Sequence, residues 1–532
     1  MDQEVQNSMS LANPAPPFMD GIEKMAAAVG GIGLLLLFVA AFGGDAVQHY
    51  LFLVASLGLI TVGTITFSIR KYLTKEPGIK NNGVFFSSLT HRGLWGWIAG
   101  IVITGFYVLL YWAPEFLGLN EAGNSGLVGL FDPLSYFFKG QPASQWFVYG
   151  TLYTLAILAF GFKFILKYRH NKYQIIRTIS VMFFQLAFAF LLPEIMANFN
   201  LPYYDLKNMW PLNYYFFYDW NINGMLNPES TLTSGQTIGL FMLIWGILMI
   251  FVISPVLTYF YGKRWYCSWV CGCGGLAETA GDSFRHLSDK SLKAWKLERW
   301  IIHLVLVFVT IMTVAVLFSY FQNNGGNVLL SKPIFTVIVV VLCLAIAGTV
   351  RANVKEIRAS FEKLPIIIYA ILGVIALATV IAFMTGGSNP FIINGGSLRS
   401  TYGFLIGAAF SGVVGVGFYP LMGSRVWCRF GCPMAAILGI QQKFFSRFRI
   451  TTNGGQCISC GNCSTYCEMG IDVRSYAQKG QNIVRASCVG CGICAAVCPR
   501  GVLRLENGSV DIHSKTSELK AIHIAEGDIR IL

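Results

Sequence analysis

The sequence predicts an all-α polytopic membrane bundle of about ten transmembrane helices, followed by a small cysteine-rich α+β domain at the C-terminus. Of the 532 residues, 55% are hydrophobic and only 12% are charged, against about 25% charged in an ordinary soluble protein. Apolar runs of about 20 residues, the length a helix needs to cross a hydrocarbon core, recur along the chain. Eight of the 14 cysteines fall in two tight runs near the end. These features exclude a soluble enzyme, a disordered chain and a fibrous one. A net charge of +13 would point to nucleic acid in a soluble protein. In a membrane protein it marks basic inner loops, so no nucleic-acid partner is expected.

Residues 1–24 read as a flexible polar head. No paired arginines precede the first apolar run and no small-residue cleavage site follows it, so the first span is expected to stay uncleaved. The apolar runs lie near 25–43, 46–69, 93–112, 146–166, 175–198, 237–261, 300–320, 333–350, 364–385 and 402–422, the fifth and eighth being the least pronounced. With the N-terminus inside, all of the 39 Lys and Arg except Lys139, Lys207, Lys332 and Arg399 fall on the inner side with both termini. That asymmetry predicts a cytosolic C-terminal domain in a reducing compartment. Arg70-Lys71, Lys167 to Lys172 and Arg351 to Arg358 read as topology signals. The outer connection from Asn200 to Gln236 is long and rich in Tyr, Trp and Asn. It reads as an interfacial aromatic belt in preference to a docking surface for a periplasmic partner.

Residues 457–467 read CISCGNCSTYC and residues 488–499 read CVGCGICAAVCP, which is C-x2-C-x2-C-x3-C twice. Three thiolates at that spacing wrap a loop around one face of an iron–sulfur cubane, and in two-cluster ferredoxins the fourth Cys of each run ligates the other cluster. Carried over, Cys457, Cys460, Cys463 and Cys498 hold one [4Fe-4S] cluster, and Cys488, Cys491, Cys494 and Cys467 hold the second. Residues 451–510 are thus expected to be a two-cluster ferredoxin-like domain, with 511–532 as a tail. Zinc is the weaker reading, since its sites usually pair two C-x2-C units across a wider gap. Cys467 is followed by Glu468 instead of the Pro found after Cys498, which is expected to shift that cluster's potential without preventing ligation.

Residues 25–236 form an N-terminal membrane region of about five helices, and 237–450 carry a different signal. The sixth span runs into Gly262-Lys-Arg264-Trp-Tyr-Cys267-Ser-Trp-Val-Cys271-Gly-Cys273, and the tenth into Gly423-Ser-Arg425-Val-Trp-Cys428-Arg-Phe-Gly-Cys432-Pro433. Each closes an inward-going span with Gly-x-Arg, an aromatic and C-x3-C, as in two parallel halves of a duplicated unit. On a helix, cysteines at i and i+4 share a side, so Cys267, Cys271, Cys428 and Cys432 are expected to share a metal or redox centre. Cys273 is a fifth candidate, and which four serve is left open. Soft thiolates suit either a further Fe–S cluster or copper. Cys343, mid-span, is expected to be a small core residue.

The segment from about 237 to 505 resembles the membrane polyferredoxins of the NapH/NosR/CcoG type, in which C-x3-C-P motifs at the membrane surface precede a two-cluster ferredoxin domain. The resemblance covers about half the chain. It implies a multi-pass protein of the bacterial inner membrane that passes electrons between a cytosolic donor and a quinone or periplasmic respiratory partner, as an electron-transfer subunit among other membrane subunits in preference to a stand-alone enzyme. Its alternative is a maturation factor that reduces or handles copper for a respiratory oxidase or reductase. Three features depart from the pattern. Cys271 is followed by Gly272 and not Pro, Cys273 is extra, and no upstream flavin domain is recognisable, so no covalent flavin is expected.

The histidines do not pair at mid-depth: His49 sits at an outer end, His91, His170 and His303 near inner ends, and His286, His513 and His523 in inner segments. No deep haem pair is expected. Glu194, beside Pro193, is expected to reach the outer interface instead of marking an ion path. Asn81 to Ser88 reads as a polar turn.

Overall fold

The computed structural model describes residues 20–43, 50–73, 93–323, 331–360, 362–508, 522–525 and 528–531. The head before Asp20, the Asn81 to Ser88 stretch, His49, His91 and His513 lie outside the described residues, as do most of the tail and the His523 side chain.

Eight helices are long and apolar enough to cross a membrane: α1 (Gly21–Phe42), α2 (Tyr50–Leu73), α4 (Gln145–Lys167), α5 (Lys172–Asn198), α6 (Gly235–Tyr261), α8 (Leu292–Phe321), α9 (Lys332–Ala352) and α10 (Leu364–Met384). The chain is compatible with a multi-pass membrane protein, and many outward side chains, such as Leu34, Val62, Leu304 and Leu377, are exposed and apolar. Local chemistry sets several starts. Asp20 accepts from the Glu23 amide at 2.7 Å, Ser144 from Phe147 at 3.2 Å and Asn171 from Gln174 at 3.3 Å, each satisfying an amide the first turn would leave bare. Glycines let α1 and α2 approach closely. A Cβ on Gly33 would meet the Ser56 carbonyl at 2.7 Å, and one on Gly63 the Gly30 nitrogen at 2.6 Å.

The two remaining expected spans take other forms. Near 93–112 lies α3 (Leu94–Trp112), whose apolar stretch, Gly96–Trp112, is shorter than those of the eight. Near 402–422 the helix Gly395–Tyr402 passes into a wide-turned segment, Gly403–Val414, and breaks before Tyr419–Met422. Five glycines between 403 and 417 explain the local irregularity and its use: Cβ atoms on Gly412 and Gly417 would meet Tyr107 at 2.8 Å and Thr104 at 2.4 Å on α3.

The connection after α5 departs from the expected aromatic belt. Leu201, Tyr204, Lys207, Met209, Asn213, Phe216 and Tyr218 are all buried. Trp210 donates to Thr313 Oγ1 of α8 at 2.9 Å, and Trp245 of α6 donates to the Leu206 carbonyl at 2.8 Å. The segment thus folds back among the helices, which cover much of its irregular backbone, while Tyr203 and Trp220 stay exposed. Lys207, expected on the outer side, is buried and pairs with Asp205 at 2.7 Å.

Candidate functional site

The C-terminal domain hangs on two antiparallel strands, β1 (Phe448–Thr452) and β2 (Leu503–Asn507), with Phe448 opposite Asn507 and Thr452 opposite Leu503. The first strand straddles the boundary expected at 450/451. Each cysteine run forms a loop closed by one helical turn, Asn462–Thr465 or Ile493–Ala496, entered through a glycine in the left-handed region, Gly461 (φ 81°) or Gly492 (φ 76°). Cys457, Cys460, Cys463 and Cys498 line one hollow, with Arg474 and Arg500 at its edge. Cys467, Cys488, Cys491 and Cys494 line a second, with Glu468.

Four thiols around each hollow are the donor set that iron–sulfur clusters take. Zinc sites usually pair two C-x2-C units and stop at four ligands, whereas two complete four-cysteine runs, the first three of each lining a hollow with the last cysteine of the other, match cubane binding.

The two C-x3-C motifs adopt one geometry, and it is not a continuous helix. Each span ends at a glycine with positive φ and extended ψ, Gly262 (67°, 178°) and Gly423 (97°, 169°). A Cβ on Gly262 would meet Gln442 and Phe448 at 2.7 Å, and one on Gly423 would meet Ser288 Oγ at 2.4 Å. A helical turn then carries the first cysteine, Cys267 or Cys428, and the second, Cys271 or Cys432, sits at the N-cap of the next helix, α7 (Gly272–Thr279) or α11 (Pro433–Phe445). Cys432 Sγ accepts from the Ala435 amide at 3.4 Å, and the Gly274 amide favours the charged form of Cys271 from the matching position without a cap hydrogen bond. Helix amides thus favour charge on the second sulfur of each motif.

All four of these cysteines are 6–7% exposed and pack in one core, where Cys432 feels the other three electrostatically and Cys267 feels Cys271 and Cys428. Cys273 is only half-buried and stands beside that set. Its thiol, close by, holds the Cys271 thiol below the usual range, whereas burial pushes Cys267 up to about 12.

A buried charge array joins the membrane cysteines to the second hollow. Arg425 donates through Nε to Glu468 Oε1 at 2.9 Å, through Nη1 to the Cys267 carbonyl at 3.2 Å and to Cys428 Sγ at 3.5 Å, and also pairs with Glu278. Arg285 reaches Glu468 at 2.8 Å and Asp282 at 2.8 Å, Lys167 reaches Asp282 at 2.6 Å, and Arg177 pairs with Glu278. Burial alone would push the Glu468 carboxyl up, but Arg285 and Arg425 outweigh it and hold it below its ordinary value. Around this array the second cysteine loop is fixed by hydrogen bonds to its carbonyls. Ser268 Oγ donates to Val489 at 2.8 Å, Tyr173 to Gly490 at 2.9 Å, Gln174 to Cys491 at 2.9 Å and Gln442 to Cys488 at 2.7 Å.

Sequence reasoning missed Glu278, Arg285, Gln174 and Gln442. The repeated Gly-x-Arg was its nearest signal to this array. Other singled residues are structural. Cys343 packs with Phe335, Val339 and Ile375. Glu194 is buried with Lys139 at 4.0 Å. A His303 ring nitrogen lies 2.6 Å from the Arg299 carbonyl.

Comparison with known proteins bears on the same segments. Residues 456–503 match the 4Fe-4S dicluster domain family, and residues 243–291 and 404–451 each match the 4Fe-4S binding domain family. The second match falls twice, once on each half of the duplicated unit. The chain is also similar to the putative electron transport protein YccM of Escherichia coli (strain K12), 37% identical over 54 residues, which make up 10% of this chain and 15% of that protein. No solved structure matches. These features define an iron–sulfur protein that carries two [4Fe-4S] clusters.

Proposed function

We propose that the protein is a membrane-bound electron-transfer protein whose C-terminal domain exchanges electrons with the Cys267, Cys271, Cys428 and Cys432 set, and through it with a quinone or a periplasmic respiratory partner. One observation carries the reading: the Arg425 guanidinium contacts Glu468, beside the second cysteine hollow, and Cys428 in the membrane set. The two sites are built against each other.

In this reading Cys457, Cys460, Cys463 and Cys498 hold one cluster, and Cys467, Cys488, Cys491 and Cys494 the other. When bound, such clusters supply electron transfer at potentials tuned by charge, hydrogen bonds and exposure. The chain's own residues then do three things. Tyr173, Gln174, Ser268 and Gln442 orient the second loop. Arg425 and Arg285 offset negative charge at the junction. The packed core that joins Met209 and Trp427 to Val489 excludes water from it. The family match on both motifs favours a third cluster there over a single copper or zinc ion. The resemblance and the basic inner loops support an inner-membrane protein with both termini in the cytoplasm.

Anaerobic purification with iron and acid-labile sulfide counted per chain, alongside EPR, tests this. Iron clearly above eight, with a signal lost in Cys428→Ser while the other two persist, supports the reading. About eight irons and unaltered electron flow in that variant would overturn the membrane step.

A further inference from the structure

The two cysteine hollows are sequence repeats with opposite surroundings. The second is roofed by α5 and by Arg264, whose guanidinium lies 4.5 Å from the Phe448 ring. The first faces outward. Ile458, at its tip, is 58% exposed, and Cys460 is exposed. Arg474 and Arg500 line the hollow and are exposed, and no carboxylate lines it. Exposed Arg504 follows Leu503, which also lines it, and exposed Lys479 follows Gln478, whose amide donates to Ser459 Oγ at 2.8 Å.

The surrounding acids are used elsewhere. Residues 451–508 hold three carboxylates. Glu468 is buried at the junction, Asp472 accepts from Ser464 at 2.7 Å, and Glu506 stands opposite Arg449 across the strands. An apolar tip ringed by cations is therefore left at the exposed hollow, with the apolar centre and polar rim of a protein interface. A pyridine nucleotide would need a cleft to seat its rings, whereas a protruding tip suits a broad partner.

We propose that this tip is the docking surface for a soluble one-electron carrier protein with an acidic face. The inference rests on the electron-transfer reading and names the partner's chemistry. On docking, the reduced carrier gives up one electron and this chain takes it, and no bond forms or breaks.

The experiment uses the full chain, anaerobic in detergent, mixed by stopped flow with a reduced acidic plant-type ferredoxin, with reduced methyl viologen as a small cationic control. The expected wild-type rate with ferredoxin falls about tenfold or more between roughly 50 mM and 300 mM salt. In Arg474→Gln/Arg500→Gln the low-salt rate drops by about the same factor and the salt dependence flattens, while reduction by methyl viologen is unchanged. A salt-independent rate, or a double variant as fast as wild type, overturns the proposal. So does equal slowing with both reductants and a shifted midpoint potential, which would make the arginines compensators of cluster charge. Direct reduction by NADH or NADPH at a rate the double variant also loses would assign the tip to a nucleotide instead. Failure of the electron-transfer reading is distinguishable, because it appears as unaltered flow in Cys428→Ser whatever the ferredoxin rate.

Discussion

Arg425 Nε lies 2.9 Å from Glu468 Oε1, and both side chains are fully buried. The residues stand 43 positions apart, one at the end of a membrane segment and the other next to the last cysteine of a run. Because the same guanidinium also reaches Glu278 and Cys428, its removal leaves two buried carboxylates with one cation each, Arg285 on Glu468 and Arg177 on Glu278. Arg425→Ala is expected to cost about 3–5 kcal/mol and to detach the second loop. Hydrogen exchange over residues 486–494 in detergent checks this, and protection equal to wild type would show that the array does not dock the domain.

Ser459 and Gly490 occupy matching places in the two loops, and both have positive φ, 58° and 63°. A Cβ at 490 would meet Arg264 at 2.6 Å and Phe448 at 3.0 Å, whereas Ser459 faces solvent. Gly490→Ser is therefore expected to destabilise the docked loop by about 1–3 kcal/mol, and Ser459→Gly to be within about 0.5 kcal/mol of wild type. Thermal unfolding of the two variants side by side reads the difference.

Among the five membrane cysteines, four are equally buried and mutually close, and Cys273 stands beside them. Cys273→Ser is expected to keep the membrane-site EPR signal, with an altered midpoint potential from the loss of the thiol beside Cys271, while Cys271→Ser, Cys428→Ser or Cys432→Ser removes it. Loss of the signal in Cys273→Ser would make that residue a ligand.

Asp282 gives a pH signature away from the cysteines. Burial pushes its carboxyl up, but Lys167, Arg285 and Lys163 outweigh that and hold it well below the ordinary range. A depressed folded value contributes stability that is fully present above the unfolded pKa of about 3.9 and fades as pH falls toward the folded value. The gap in unfolding temperature between wild type and Asp282→Asn should stay constant from roughly pH 5 to 8 and narrow below about 4. A gap that narrows near neutrality would contradict the assignment.

Much of this molecule was readable from one-dimensional pattern. The long apolar runs coincide with eight helices, because length and hydropathy are what a bilayer selects. The cysteine spacings found both hollows, because ligand geometry is set within a few residues. Glu468 was noticed only as a residue where Pro was expected, since its partners Arg425 and Arg285 lie 43 and 183 positions away. The Asn200–Gln236 connection misled for another reason: Tyr, Trp and Asn suit a belt at an interface and a buried loop equally well, and composition does not tell depth. The C-x3-C motifs look helical by spacing, but Gly262 and Gly423 break the chain beforehand and the second cysteine starts a new helix.

The segment after α5 also covers the membrane cysteine set. Met209 packs in the same core as Cys267 and Cys271, and Tyr204, Trp210 and Phe216 of the same segment pack together with Trp245. What shields those thiols there is thus a loop of this chain, held by its own aromatic packing.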